Sequence, residues 1–108
     1  MSRGPDRRIN DILAAIDRCQ RYLPLLTGKD KTLAEMAGDA IERNLQIIGE
    51  AAKALPAGVT ERKSDVPWPQ IRGLRNILVH QHFGIDAGVI REVVEVHLPV
   101  LADALRQP

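Results

Sequence analysis

Residues 33–55 read LAEMAGDAIERNLQIIGEAAKAL, and apolar side chains recur in this stretch every three or four positions. That spacing is typical of one face of an α-helix, so the stretch predicts a long amphipathic helix. Two glycines, Gly38 and Gly49, lie inside it, each at a cost of about 1 kcal/mol relative to alanine. Such glycines often mark the close approach of another helix. The alternative is that the helix tolerates them and that they have no packing role.

Two further helices are predicted on either side of this one. Apolar residues from 9 to 23 have helical spacing, with Asp6 as the expected N-cap and an expected end between residues 22 and 26. Residues 60–64 are polar and predict a loop. A third helix is predicted over residues 67–80, because two prolines near its start are tolerated in a first turn.

The last helix is predicted to begin after Asp86 and to carry its apolar positions between residues 89 and 105. Pro99 lies within that pattern and should kink the helix or mark a boundary. No stretch alternates between apolar and polar residues as a half-buried strand does. The sequence therefore predicts an all-α, up-and-down bundle of four main helices in a single domain over residues 1–108.

Composition narrows the class of protein. Of the 108 residues, 44% are hydrophobic and 27% charged, which is typical of a globular domain. The net charge of +1 gives no overall positive field for nucleic acid, so any RNA contact must be local. The single cysteine, Cys19, lies in an apolar stripe, which favours a buried inert thiol over a nucleophile. No signal peptide or membrane span is apparent, so we expect a cytoplasmic protein.

Residues 67–86 read PWPQIRGLRNILVHQHFGID and carry the candidate chemistry. On a straight helix Asn76 and His80 project within about 40° of each other, whereas Arg75 and His80 differ by about 140°. Arg75 can reach the same site only through its long side chain, a helix end or a second subunit.

These residue types suit RNA cleavage without a metal. An imidazole can take the proton of a ribose 2′-OH or protonate the leaving oxygen, because its reference pKa is about 6.5. A guanidinium can stabilise the phosphorane charge, and an amide can orient either group. We therefore consider Arg75, Asn76 and His80 as catalytic candidates. The alternative is structural: an arginine that caps carbonyls and a histidine satisfied at a helix end.

At these positions the sequence resembles the HEPN superfamily, whose nucleases carry an arginine, a polar residue and, a few positions later, a histidine. It is most similar to the HepT branch in three places: residues 41–52, Pro67-Trp68 with Ile71, and residues 73–86. The resemblance covers about residues 5 to 105 and implies a homodimer in which two motifs face each other. Two imidazoles would then serve as base and acid, and Arg72 would add positive charge beside Arg75.

The resemblance also implies a biological context, a type VII-like toxin–antitoxin pair. In such pairs a HepT toxin is neutralised by a minimal nucleotidyltransferase of the MNT type, in some systems by transfer of AMP to a tyrosine two residues after the motif histidine. His82 occupies that position here. Control would therefore be steric, act at another residue or be absent.

Three hypotheses follow from the motif. The first is a metal-independent ribonuclease toxin with no cofactor. The second is a non-catalytic binding module that partners the nucleotidyltransferase. The third is a metal site at His80 and His82, but a helix turns about 200° between them and no acidic or cysteine partner lies near in sequence.

Glu50, His97 and Trp68 each have a functional and a structural interpretation. Glu50 either orients Arg75 or Asn76 or is a surface charge, and Arg43 lies on the same helix face, where it could contact RNA. His97 lies on the apolar face of the last helix and is expected in the core or an interface rather than as a ligand. Trp68 is expected to fill the core at a helix start, because one aromatic makes a poor stacking surface for nucleic acid.

Overall fold

The computed structural model describes residues 4–74 and 87–107. These ranges are helical and contain no strand, which confirms the predicted all-α class. The elements in chain order are α1 (Pro5–Tyr22), a 3-10 turn (Leu23–Thr27), α2 (Lys31–Lys53), α3 (Ala57–Arg62), α4 (Trp68–Arg72), α5 (Ala87–Glu92), a π-helical segment (Val93–His97) and α6 (Leu98–Arg106). None of the helices in these two ranges combines the length and the hydropathy that a membrane span requires.

The starts of the first two helices show how local sequence sets their limits. Helix α1 begins at Pro5, whose fixed φ suits a first turn, and Gly4 holds the N-cap position. The prediction that Asp6 caps this helix is therefore wrong, because Asp6 lies inside the first turn. Helix α2 has a side-chain cap: the Asp30 carboxylate accepts a hydrogen bond from the Leu33 N–H at 3.1 Å.

Helices α1 and α2 pack against each other along most of their length and form the main wall of the core. Cys19 lies opposite Ile41, and its thiol donates to the Ile41 carbonyl oxygen at 3.9 Å. Beside it, Arg18 Nε donates to Asn44 Oδ1 at 2.7 Å, and Asn44 Nδ2 donates to the Ala40 carbonyl oxygen at 2.7 Å. The buried amide is therefore satisfied by both helices, which fixes their register.

The segment after α2 differs from the prediction. Residues 60–64 were expected to form a loop, but α3 (Ala57–Arg62) includes the first part of that stretch. Its end is fixed by Trp68, whose Nε1–H donates to the carbonyl oxygens of Thr60 and Lys63, each at 3.1 Å. Trp68 is buried, which confirms its predicted role in the core. The tryptophan stabilises a helix too short to show a clear hydrophobic period.

The last helix contains a π-helical segment (Val93–His97) that ends two residues before Pro99. The Leu98 N–H donates to the Val93 carbonyl oxygen, five residues back, instead of four. Proline lacks an N–H and its ring would clash with the carbonyl four residues earlier, so the wider turn accommodates it. This confirms Pro99 as a boundary. The extra residue also rotates the register, so that Val96 and Val100, two of the apolar positions predicted between residues 89 and 105, are half exposed.

Candidate active site

Four predicted site residues lie outside the described residues: Arg75, Asn76, His80 and His82 all fall between positions 75 and 86. The structure describes residues 67–74, which lead into the motif, helix α2, against which α4 packs, and the predicted accessory residues Arg43 and Glu50 on α2.

The residues directly before the motif are firmly packed. Ile71 and Leu74 are buried, at 2% and 5% exposure. Between them the Gly73 N–H donates to the carbonyl oxygens of Pro69 at 3.0 Å and Gln70 at 3.2 Å, which ends α4 at Arg72. The prediction of one uninterrupted helix over residues 67–80 is therefore wrong at Gly73. The packing fixes Leu74, the residue directly before Arg75 in the sequence.

Gly49 of α2 lies against the end of α4. A Cβ at this position would lie 3.3 Å from the Ile71 carbonyl oxygen, 3.6 Å from that of Arg72 and 3.9 Å from Leu74 Cβ. The absence of a side chain thus permits the backbone of α4 to approach α2, which supports the interpretation of Gly49 as a close-approach glycine. The same interpretation fails for Gly38, where a Cβ would make only an ordinary contact, 3.6 Å from Leu26 Cδ2.

The accessory residues of α2 lie on its outer surface. Arg43 and Glu50 are both exposed, and they are separated by two helical turns, about 10 Å along the axis. Within residues 4–74 and 87–107 neither of them forms an ion pair. Arg72, at the end of α4, is partly exposed. The predicted contact of Glu50 with Arg75 or Asn76 involves residues outside the described ranges.

A groove of about 370 Å³ lies between α4 and the last helix. We call it the α4–α5 groove; the described residues that line it are Pro67, Gln70, Ile71, Leu74, Val89, Glu92, Val93 and His97. His97 is exposed at this groove, so the core half of its prediction is wrong, and a place in an interface stays a prediction. The π-helical segment explains the error, because it rotates residues near its end away from the periodic apolar face.

Other reactive groups are less suited to catalysis. Burial raises the pKa of the Cys19 thiol to about 12, although the Arg18 charge acts in the opposite direction. A neutral, buried thiol is a poor nucleophile, as the sequence predicted. Among the described residues no group of three or more histidine, cysteine, aspartate or glutamate side chains could hold a metal ion.

The comparisons with known proteins point to one family. The family model described as "Ribonuclease HepT-like" matches residues 12–108. A Thermococcus cleftensis protein named as a probable ribonuclease HepT is 29% identical over 101 residues, covering 94% of this chain and 92% of its own length. No solved structure gave a significant match.

Two other relatives are longer than this chain. A Methanocaldococcus jannaschii protein, named a gamma-glutamylcyclotransferase and inferred RNase, is 34% identical over 97 residues, covering 90% of this chain and 44% of its own. An inferred RNase of Caldanaerobacter subterraneus subsp. tengcongensis is 40% identical over 68 residues, covering 63% of this chain and 61% of its own. The chain thus spans less than two thirds of these two relatives.

The helical fold and the motif define a HEPN-type domain. Since the family model covers nearly the whole sequence, the chain belongs to the HepT-like ribonuclease family.

Proposed function

We propose that this chain is a metal-independent endoribonuclease that acts in the cytoplasm as the toxin of a type VII-like HEPN/MNT toxin–antitoxin pair. The observation that carries the proposal is the Arg75-Asn76 and His80 motif in a chain of the HepT-like ribonuclease family. The packing of Leu74 supports it, because a buried residue directly before Arg75 limits the positions open to the start of the motif.

The proposed reaction is an attack of the ribose 2′-OH on the adjacent phosphorus. One imidazole takes the 2′-OH proton as the new O–P bond forms. The bond from phosphorus to the 5′ oxygen breaks, and a second imidazole protonates that oxygen. Arg75 stabilises the negative charge on the phosphorane, and Asn76 orients His80 or the phosphate. The products are a 2′,3′-cyclic phosphate and a 5′-hydroxyl, and no metal takes part.

The mechanism needs two copies of the chain. One His80 cannot hold and release a proton at the same moment on opposite sides of the phosphorus, so the second imidazole comes from a partner subunit. A homodimer also brings together two copies of Arg72 and Arg75, which makes the cleft locally basic although the chain carries a net charge of only +1. Arg72 is partly exposed and forms no ion pair within the described part of the chain.

The second candidate function is a non-catalytic HEPN module that binds a minimal nucleotidyltransferase. The observation that favours it is His82, which occupies the position of the tyrosine that receives AMP in some related systems. In that case the motif serves dimer packing or nucleotide binding.

The two functions differ in a simple cleavage assay. Purified wild-type protein and His80→Ala are incubated with labelled RNA in excess EDTA, after circular dichroism and light scattering have shown equal helicity and mass. We expect fragments from the wild type alone. Equal cleavage by both proteins would exclude His80 as the catalytic centre. Intact RNA with both would contradict the ribonuclease proposal and favour the binding module.

A further inference from the structure

The walls of the α4–α5 groove are apolar over most of their area. Ile71 of α4 and Leu74, two residues beyond its end, form one wall, and Val89 and Val93 of the last helix form the other. Its volume of about 370 Å³ lies at the lower end of the range of about 300–1,000 Å³ that is typical of small-molecule sites. A planar ring between two aliphatic walls can make van der Waals contacts on both of its faces.

Three polar residues, Gln70, Glu92 and His97, also line the groove. Residues five apart diverge by about 140° on an α-helix. Glu92 and His97 nevertheless line the same groove, because the chain from Val93 to His97 is π-helical and has more residues per turn. The neighbouring Glu95 is already paired, with its Oε1 2.9 Å from Arg91 Nη1. Glu92 forms no ion pair in the described part of the chain, so its carboxylate is free to accept hydrogen bonds there.

The chemistry of the lining selects among ligands. No lysine or arginine is among the described residues that line the groove, and the Glu92 carboxylate would repel a phosphate. A carboxylate does accept hydrogen bonds from the exocyclic amino group of a base, and a glutamine amide or an imidazole can pair with the remaining polar atoms on the base edge. The groove therefore suits a neutral aromatic base with an amino group.

We propose that the α4–α5 groove holds one base of the RNA substrate and favours an amino-bearing base (guanine, adenine or cytosine) over uracil. This inference rests on the proposed ribonuclease function and adds a specificity site to it. Leu74 is part of the groove wall and directly precedes Arg75, so the base site adjoins the start of the catalytic motif in the chain. Glu92 is the specificity-determining residue, because uracil has no exocyclic amine to donate to it.

A titration tests the groove without relying on catalysis. The wild type, Glu92→Gln and Glu95→Gln are each titrated with GMP, AMP, CMP and UMP, and amide chemical shifts are followed by NMR. Glu95→Gln is the matched control, since it removes the same charge from the same helix outside the groove. We expect the wild type and Glu95→Gln to bind GMP about five- to tenfold more tightly than UMP, and Glu92→Gln to lose that preference. Equal affinity of the wild type for GMP and UMP would overturn the proposal.

Cleavage of a random RNA pool provides the second readout. Sequencing of the fragment ends should show uracil depleted at one fixed position from the cut with the wild type and Glu95→Gln, and restored with Glu92→Gln. Cleavage with equal use of all four bases would overturn the base site but leave the ribonuclease proposal intact. Absence of cleavage would overturn the ribonuclease proposal, and the titration would then decide the base site alone. A loss of dimer mass in Glu92→Gln would assign the groove to a subunit interface and so contradict the inference.

Discussion

Gly49 of α2 lies directly against the Ile71 carbonyl oxygen of α4, with only 3.3 Å between that oxygen and the place where a Cβ would stand. The atoms on the α4 side are backbone, so they cannot move aside as a flexible side chain could. Any side chain at Gly49 must displace the end of α4, and the chain continues from there through Leu74 to Arg75. The contact thus couples the longest helix to the start of the motif.

The two glycines of α2 should respond differently to alanine. In Gly38→Ala the new Cβ makes an ordinary contact with Leu26, so the helix propensity gained should raise the free energy of unfolding by up to about 1 kcal/mol. In Gly49→Ala the same gain is offset, because α4 must move by a few tenths of an ångström. Urea unfolding should therefore show Gly49→Ala to be the less stable variant.

Gly38→Ala and Gly49→Ala also test whether the contact between Gly49 and α4 affects RNA cleavage. We expect Gly49→Ala to reduce RNA cleavage several-fold, since small displacements near reacting groups reduce rates strongly, and Gly38→Ala to leave it unchanged. Equal stability and equal cleavage rates in the two variants would show that the contact has no influence on the motif.

The hydrogen bond between Arg18 and Asn44 should contribute measurably to stability. Arg18→Met keeps the aliphatic stem but leaves the buried Asn44 Oδ1 without its 2.7 Å donor, which should lower the free energy of unfolding by about 1–3 kcal/mol. Arg21→Met is the control, since Arg21 pairs with Asp17 where both side chains are more than half exposed. That change should stay within about 0.5 kcal/mol. Equal losses of unfolding free energy in Arg18→Met and Arg21→Met would contradict a stabilising role of the Arg18–Asn44 hydrogen bond.

Trp68 should anchor α3 through its ring nitrogen. Trp68→Phe keeps an aromatic ring but removes the donor to the Thr60 and Lys63 carbonyl oxygens. Urea unfolding followed by circular dichroism should show that the free energy of unfolding is lower by about 1–3 kcal/mol in Trp68→Phe. A loss below about 0.5 kcal/mol would mean that water satisfies these carbonyls equally well.

Cys19 should be unreactive in the folded protein and should make stability fall at high pH. Its pKa is raised from an ordinary 9.0 to about 12. The unfolded state therefore loses its thiol proton first, so the stabilisation is complete below pH 9 and decreases as the pH rises towards 12. The free energy of unfolding, measured at pH values between 7 and 10.5, should decrease with pH in the wild type and decrease less in Cys19→Ala. Rapid labelling of the native thiol by iodoacetamide at pH 8 would contradict its burial.

The fold could be predicted where the hydrophobic period is long and regular. Helices α1 and α2 satisfy that condition: α1 ends at Tyr22, inside the predicted range of 22–26, and α2 covers most of the predicted stretch 33–55. Helix α3 has only six residues and depends on the distant Trp68 ring, so its own sequence carries little signal. The exposure of Val96 and Val100 follows from a π-helical segment, whose single extra residue leaves no mark on a periodic pattern.

The candidate site also has one part that the sequence could identify and one part that it could not. Arg75, Asn76 and His80 lie close together in sequence, so a motif could identify them. The groove joins Gln70 to Glu92 and His97 across the bundle, and only the packing of α4 against the last helix brings these residues together. A regular helical period puts His97 on the apolar face, and the π-helical segment rotates it away from there.

The central claim is that His80 drives metal-independent cleavage by 2′-OH attack. The most direct measurement is mass spectrometry of the products that the wild-type protein and His80→Ala form from one defined oligoribonucleotide in excess EDTA. We predict that the wild type forms fragments with 2′,3′-cyclic phosphate and 5′-hydroxyl ends, and that His80→Ala leaves the oligonucleotide intact. Fragments with 5′-phosphate ends, cleavage only after a divalent metal is restored, or equal products from both proteins would contradict the claim.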